Sequence, residues 1–194
     1  ILTVFIPLAL GWKYPFIFSP VHIIFLELIM GPTCSIIYEN EPMEKNTMLQ
    51  PPRPYSSTFF NGKELFTSIL QGLAITTGTL TMYQFAVVHH YNEEITRTMV
   101  FTTLITANIF LTLVNRSFFF SIFSTLRYKN NLVLLIILST VVLTACLLFI
   151  PPLTNFFSFE LLNSTQLSIS LAGGFLCVIW YECIKYFKRK QSKI

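Results

Sequence analysis

The chain has 194 residues, 53% of them hydrophobic and only 11% charged, with a mean hydropathy of +0.63 and a formal net charge of +4. Soluble domains carry about 25% charged residues, so the composition excludes a soluble globular domain and predicts an all-α membrane protein, a polytopic helical bundle. The positive charge does not point to nucleic acid, because the basic residues sit at the ends of apolar segments, where they set membrane topology.

The chain opens at Ile1 inside an apolar run that ends at Gly11-Trp12-Lys13. Ten residues of helix cover about 15 Å, roughly half a bilayer. The run therefore reads as the last half of a spanning helix, and the chain as a piece of a longer one. No basic region precedes the run and no small-residue cleavage site follows it, so it is not a signal peptide. Tyr14 to Ser19 is a short connection.

The second segment, Pro20 to Tyr38, is long enough to cross a bilayer. It holds one carboxylate, Glu27, in an otherwise apolar run. An intramembrane carboxylate costs roughly 2.5–3.5 kcal/mol, so its default reading is functional. The structural alternative is a neutral carboxyl bonded to a neighbouring helix. Gly31 and Pro32 follow and predict a break in the helix. Pro32 has no N–H, so the Leu28 carbonyl loses its helical partner. A carboxylate beside such backbone oxygens at membrane depth makes a cation site. Met30, Gly31 and Cys34 share the face of Glu27, as soft ligands or as ordinary packing.

Glu39 to Lys63 is a polar, proline-rich loop, with Glu39, Glu41 and Glu44 at its start. Segments three to six are Glu64–Val88, Arg97–Asn115, Leu132–Ile150 and Leu167–Phe187. Gly72 and Gly78 in the third segment predict close helix approach. Asn108 lies at the middle of the fourth, either completing the cation site or hydrogen-bonding across helices. Gln84 reads as structural. Pro151-Pro152 ends the fifth segment, and Leu153 to Gln166 reads as a loop. The parts are then residues 1–19, a truncated helix and its connection; 20–63, the ion-site helix and a loop; and 64–194, a supporting four-helix bundle.

Lys45, Arg53, Lys63, Arg116, Arg127, Lys129, Lys185, Lys188, Arg189, Lys190 and Lys193 fall on one side, and only Lys13 and Arg97 on the other. The Glu39–Lys63 loop and the C-terminal tail are therefore expected to be cytoplasmic. The tail from Lys185 can also attract anionic lipid. His22, His89 and His90 have no partner at metal-ligand spacing and read as surface histidines. Asn163-Ser164-Thr165 is a glycosylation sequon, meaningful in a secretory-pathway host. Cys34, Cys146, Cys177 and Cys183 form no C-x-x-C and read as free thiols.

All nine acidic residues are Glu, which rules out an aspartyl-phosphate nucleophile in these residues. Neither phosphate-cradling glycine motif occurs, so no catalytic residue is expected here. Pro20-Val21-His22, Glu41-Pro42, Gln50-Pro51-Pro52-Arg53, Arg97-Thr98-Met99, Pro152-Leu153 and Glu182-Cys183-Ile184-Lys185-Tyr186-Phe187 together resemble the C-terminal membrane region of P-type cation-transporting ATPases, of the calcium-pump type. The resemblance covers essentially the whole chain and implies half of one helix plus five transmembrane helices, similar to pump helices 5–10. It places Glu27 where the family's sixth helix has Asn, Met30 where it has Thr, Gly31 where it has a ligand Asp, and Asn108 where the eighth helix of reticulum pumps has Glu. The charge is thus moved by one turn, and the ion could be calcium, manganese, another divalent cation or a proton.

The resemblance implies that the catalytic D-K-T-G-T, the nucleotide domain and the T-G-E loop belong to the rest of a full-length pump. ATP and Mg2+ would act there, with no cofactor in this chain. The partners implied are the transported cation, membrane lipid and N-terminal cytoplasmic domains of the same chain, with Arg53 in the coupling loop contacting them. A plasma or inner membrane is preferred over an organelle. The alternatives are a small non-enzymatic ion-coupled carrier, a membrane scaffold, or a regulatory subunit derived from a pump.

Overall fold

The computed structural model describes residues 2–40, 62–116 and 131–191. Those residues form seven helices: α1 Leu2–Ala9, α2 Pro20–Glu39, α3 Gly62–Val88, α4 Glu93–Asn115, α5 Asn131–Phe149, α6 Pro151–Phe156 and α7 Ser164–Gln191. Five of them, α2, α3, α4, α5 and α7, are long and apolar enough to cross a membrane. The protein is an all-α, multi-pass membrane bundle.

α4 is the central helix. It makes its largest interface with α7 and also packs on α3. Six of its threonines are buried: Thr96, Thr98, Thr102, Thr103, Thr106 and Thr112. Five of them tolerate burial because a helical threonine can return its hydroxyl to its own backbone, whereas the buried Thr102 hydroxyl has no hydrogen-bond partner among the described residues. Thr103 donates to the Met99 carbonyl at 2.8 Å, Thr106 to Thr102 at 2.7 Å and Thr112 to Asn108 at 2.9 Å. Thr103 also reaches the Ser170 carbonyl of α7, at 3.2 Å.

Glycines set the closest approaches, as small residues do between membrane helices. A Cβ at Gly174 would lie 2.7 Å from the Thr103 carbonyl oxygen and 2.7 Å from the Thr106 Cβ. One at Gly78 would fall 1.9 Å from the Cys177 Sγ. Gly72, expected to act likewise, faces open space. α3 and α4 are joined by a reciprocal amide pair, Gln71 Nε2 to Asn115 Oδ1 at 3.0 Å and Asn115 Nδ2 to Gln71 Oε1 at 3.1 Å. Gln84 is exposed.

One end of the bundle, here the turn end, gathers the connections after α1, α3 and α6. All three helices stop in the same way. Gly11, His90 and Ser158 adopt left-handed φ values of 59°, 58° and 50°. The next residue's N–H reaches back to a carbonyl five positions earlier: Trp12 to Pro7, Tyr91 to Ala86 and Phe159 to Thr154. This double-bonded cap satisfies carbonyls that a helix end leaves unpaired. Arg97 fastens two of the connections, donating to the Ile17 carbonyl at 2.7 Å and the Ser158 carbonyl at 3.0 Å. The Tyr14 N–H donates to the Tyr83 hydroxyl at 2.8 Å. The largest buried cluster lies directly beneath, with Ile17, Phe18, Tyr83, Phe101, Leu147, Phe157 and Phe159 among its members.

Three expectations need correction. The break at Gly31 and Pro32 is absent from the backbone, because α2 runs as one helix from Pro20 to Glu39. A proline costs a helix roughly 3 kcal/mol, but opening the helix in lipid would strand several backbone groups at several kcal/mol each. Pro151 and Pro152 begin α6 rather than only ending α5, since a first-turn proline gives up an N–H that had no helical partner. Lys185 is no part of a solvated tail. It is 1% exposed, and its Nζ donates to the Val114 carbonyl in the last turn of α4 and pairs with Glu182 at 2.9 Å. The carbonyl end of a helix attracts a cation because it lacks intrahelical donors and carries the negative end of the helix dipole.

Candidate cation site

Glu27 and Asn108 lie far apart in the chain, yet both line one cavity of about 570 Å³ between α1, α2, α3 and α4. Glu27 is exposed and Asn108 half-buried. The helical repeat explains why each points there. Ile23, Glu27 and Met30 stand three or four positions apart and so share a face of α2, as Leu104 and Asn108 do on α4. All five line the cavity, with Thr3 of α1 and Thr76 of α3. The remaining wall is aliphatic and aromatic, including Leu2, Val4, Phe5, Leu26 and Ile75.

The donor atoms can be read one by one. The Asn108 Nδ2 donates to the Leu104 carbonyl at 3.0 Å, which commits the amide nitrogen and leaves the amide oxygen as what this side chain can offer a cation. The Thr76 hydroxyl donates to the Gly72 carbonyl at 2.9 Å, so its lone pairs are what it can turn outward. Glu27 adds one carboxylate. A single negative charge with neutral oxygens in an apolar wall suits a hard cation, and apolar surroundings strengthen the attraction between opposite charges. Met30 adds a thioether to the same wall. Among the described residues, no three His, Cys, Asp or Glu side chains gather into a metal-holding group. Among the described residues Glu27 is thus the sole anionic lining residue, flanked by neutral donors.

The other expected residues fare differently. Leu28 and Gly31 are exposed and do not line the cavity. Pro32 is helical in backbone. Glu39 is exposed at the last position of α2. Glu41, Glu44 and Arg53 lie outside the described residues. His89 and His90 are exposed, and Cys146, Cys177 and Cys183 are free.

Two residues were missed. Thr76 gives no sequence signal beyond being one of several threonines in α3. His22, expected at the surface, is buried. Its signal was Ser19 three positions earlier, the spacing at which a helix's first turn exchanges bonds with the residue before it. Histidine stands where that pattern ordinarily has Glu or Gln.

A family profile described as "Cation transporting ATPase, C-terminus" matches residues 15–187. The chain is 26% identical over 207 aligned positions to "Calcium-transporting ATPase 1" of Bacillus cereus (strain ATCC 10987 / NRS 248), covering 97% of this chain and 23% of that protein. It is 24% identical over 190 positions to "Calcium-transporting ATPase type 2C member 1" of Homo sapiens, covering 97% of this chain and 21% of that one. The protein of that name from Bos taurus is also 24% identical, with 97% and 20% covered. The chain thus spans less than a quarter of the length of these relatives.

Proposed function

The chain belongs to the family of C-terminal regions of cation-transporting ATPases, and from that premise we propose that it is the membrane part of an ATP-driven pump whose cation binds at Glu27 and Asn108. The observation that carries this reading is their convergence on one apolar-walled cavity. A cation crossing a bilayer needs oxygen donors at membrane depth, and a carboxylate placed there at a cost is by default a functional residue. The Leu28 carbonyl, for which Pro32 has no N–H to offer, lies on the same helix but outside the cavity lining, so the site is read without it. The names of the relatives make calcium the first cation to test, and manganese, which the carboxylate and amide oxygens of the cavity also suit, is the second.

ATP and Mg2+ act in domains of the same protein outside these residues, where a phosphorylated Asp drives the change in cation access. Glu39, Glu41, Glu44 and Arg53 form the coupling segment toward those domains. The tail end of the bundle faces the cytoplasm, an orientation that the eleven basic residues on that side favour. A plasma or inner membrane is favoured over an organelle.

The test uses the full-length protein in membranes, measuring phosphoenzyme formed from ATP against free calcium and, separately, manganese. Glu27→Gln should raise the half-saturating concentration about 100-fold or abolish the response, because removing the one charged partner of a cation held at membrane depth costs about 3 kcal/mol. Asn108→Ala should raise it about tenfold. A Glu27→Gln protein with wild-type cation dependence removes Glu27 from the mechanism.

A further inference from the structure

α2 is held differently at its two ends. At the turn end, His22 is 2% exposed. Its Nδ1 accepts a hydrogen bond from the Ser19 N–H at 3.1 Å and lies 2.7 Å from the Ser19 hydroxyl. Its Nε2 donates to the Phe157 carbonyl at 2.8 Å. The ring is enclosed by Phe18, Phe101, Phe157 and Phe159, with centroids 5.8, 6.0, 5.5 and 5.1 Å away. Ser19 and Phe157 belong to the two connections that Arg97 also fastens, through Ile17 and Ser158. Beyond His22, Ile29 and Ile37 are the only buried side chains among those described in α2. Ile37 belongs to a small cluster with Val133 and Ile136, separate from the main one.

Glu27 follows His22 by five residues, about 7.5 Å along the helix axis. We propose that His22 is a positioning residue for cation binding. It pins the turn end of α2 so that Glu27 meets the cavity at a fixed depth, and the helix movement that changes cation access is taken up toward the Glu39 end. The inference rests on the reading of Glu27 as a cation ligand. The role needs a side chain that accepts from the N–H ahead of its own helix and donates to a carbonyl on another connection. Neutral histidine does both, and so does glutamine. Leucine fills similar space and does neither, stranding a buried carbonyl and leaving the Ser19 N–H without its partner ring.

The experiment uses the same phosphoenzyme assay on the full-length protein, with calcium and with manganese, for wild type, His22→Gln and His22→Leu. The glutamine variant should stay within about twofold of the wild-type half-saturating concentration. The leucine variant should raise that concentration about tenfold while the maximal phosphoenzyme level is unchanged, since depth and not chemistry is disturbed. A leucine variant with wild-type half-saturation overturns the inference, and so does one that lowers only the maximal level. If the leucine variant does not accumulate, Ser19→Pro decides, because the Ser19 φ of −80° accommodates proline and the change deletes both Ser19 groups that meet the His22 Nδ1, the N–H and the hydroxyl. A rise of several-fold is expected there, and unchanged affinity overturns the inference. Wild-type protein without cation-stimulated phosphorylation refutes the transport reading itself, whereas stimulated wild type with indifferent variants refutes His22 alone.

Discussion

Lys185 shows how one side chain links two helices that the sequence does not pair. Its ammonium meets the carbonyl end of α4 and the Glu182 carboxylate, and the Tyr181 ring centroid lies 5.5 Å away. Buried lysine is tolerated only when paired and hydrogen-bonded. Lys185→Met should therefore cost roughly 3 kcal/mol, because it leaves both the Val114 carbonyl and a mostly buried Glu182 without their cation. Adding Glu182→Leu should restore part of that loss, since an apolar pair of like volume replaces a buried ion pair at little cost. Thermal unfolding of the detergent-solubilised protein measures both. Equal stability of the Lys185→Met and double variants would mean that losing the lysine leaves no stranded charge on Glu182 for the second change to relieve. The lysine looked like topology from sequence because four more basic residues follow it in the chain. Its neighbours gave no hint that a turn of α7 would pass beneath Val114.

At the scale of elements, the apolar runs announced themselves. α2, α3, α4, α5 and α7 were each legible from length and composition, to within a few residues at their ends. What composition could not reveal was backbone behaviour at Gly31-Pro32 and Pro151-Pro152, because a proline's local preference is overridden or redirected by the surroundings. The glycines were half legible for the same reason. Gly78 and Gly72 look alike in sequence, yet only Gly78 touches α7. Gly174→Ala should weaken the α4–α7 contact by about 1–3 kcal/mol, since its methyl would meet main-chain atoms that cannot move aside. Gly72→Ala, with open space around it, should be neutral or stabilising by up to about 1 kcal/mol through helix propensity. Unfolding temperatures of the two variants, compared side by side, check this pair. A shared loss would show that contact is not what separates them.

The whole molecule divides into a well-packed part around α4 and a lightly held α2. Glu27 and Asn108 were both legible, because polar atoms in apolar runs stand out. Their meeting in one cavity was not, since it depends on how α2 and α4 cross. Local openings draw on the regions with fewest buried contacts. Amide hydrogen exchange on the full-length protein in detergent should accordingly leave α4 protected longest and release the Ser35–Glu39 turn of α2 sooner, although both are helical. Uniform protection along α2 would contradict the unequal grip on its two ends.

The four-residue link from His89 to Asn92 has a consequence for how the protein is made. α4 begins with Glu93 and Glu94, carries Arg97 and is studded with threonines, which makes it a reluctant passenger into lipid by itself. A link this short delivers it as one arm of a hairpin with α3. Nascent α4 can thus leave the ribosome's exit route already shielded on one face by its sister arm, while Thr103 and Thr106, which meet α7, are covered only when that later helix arrives.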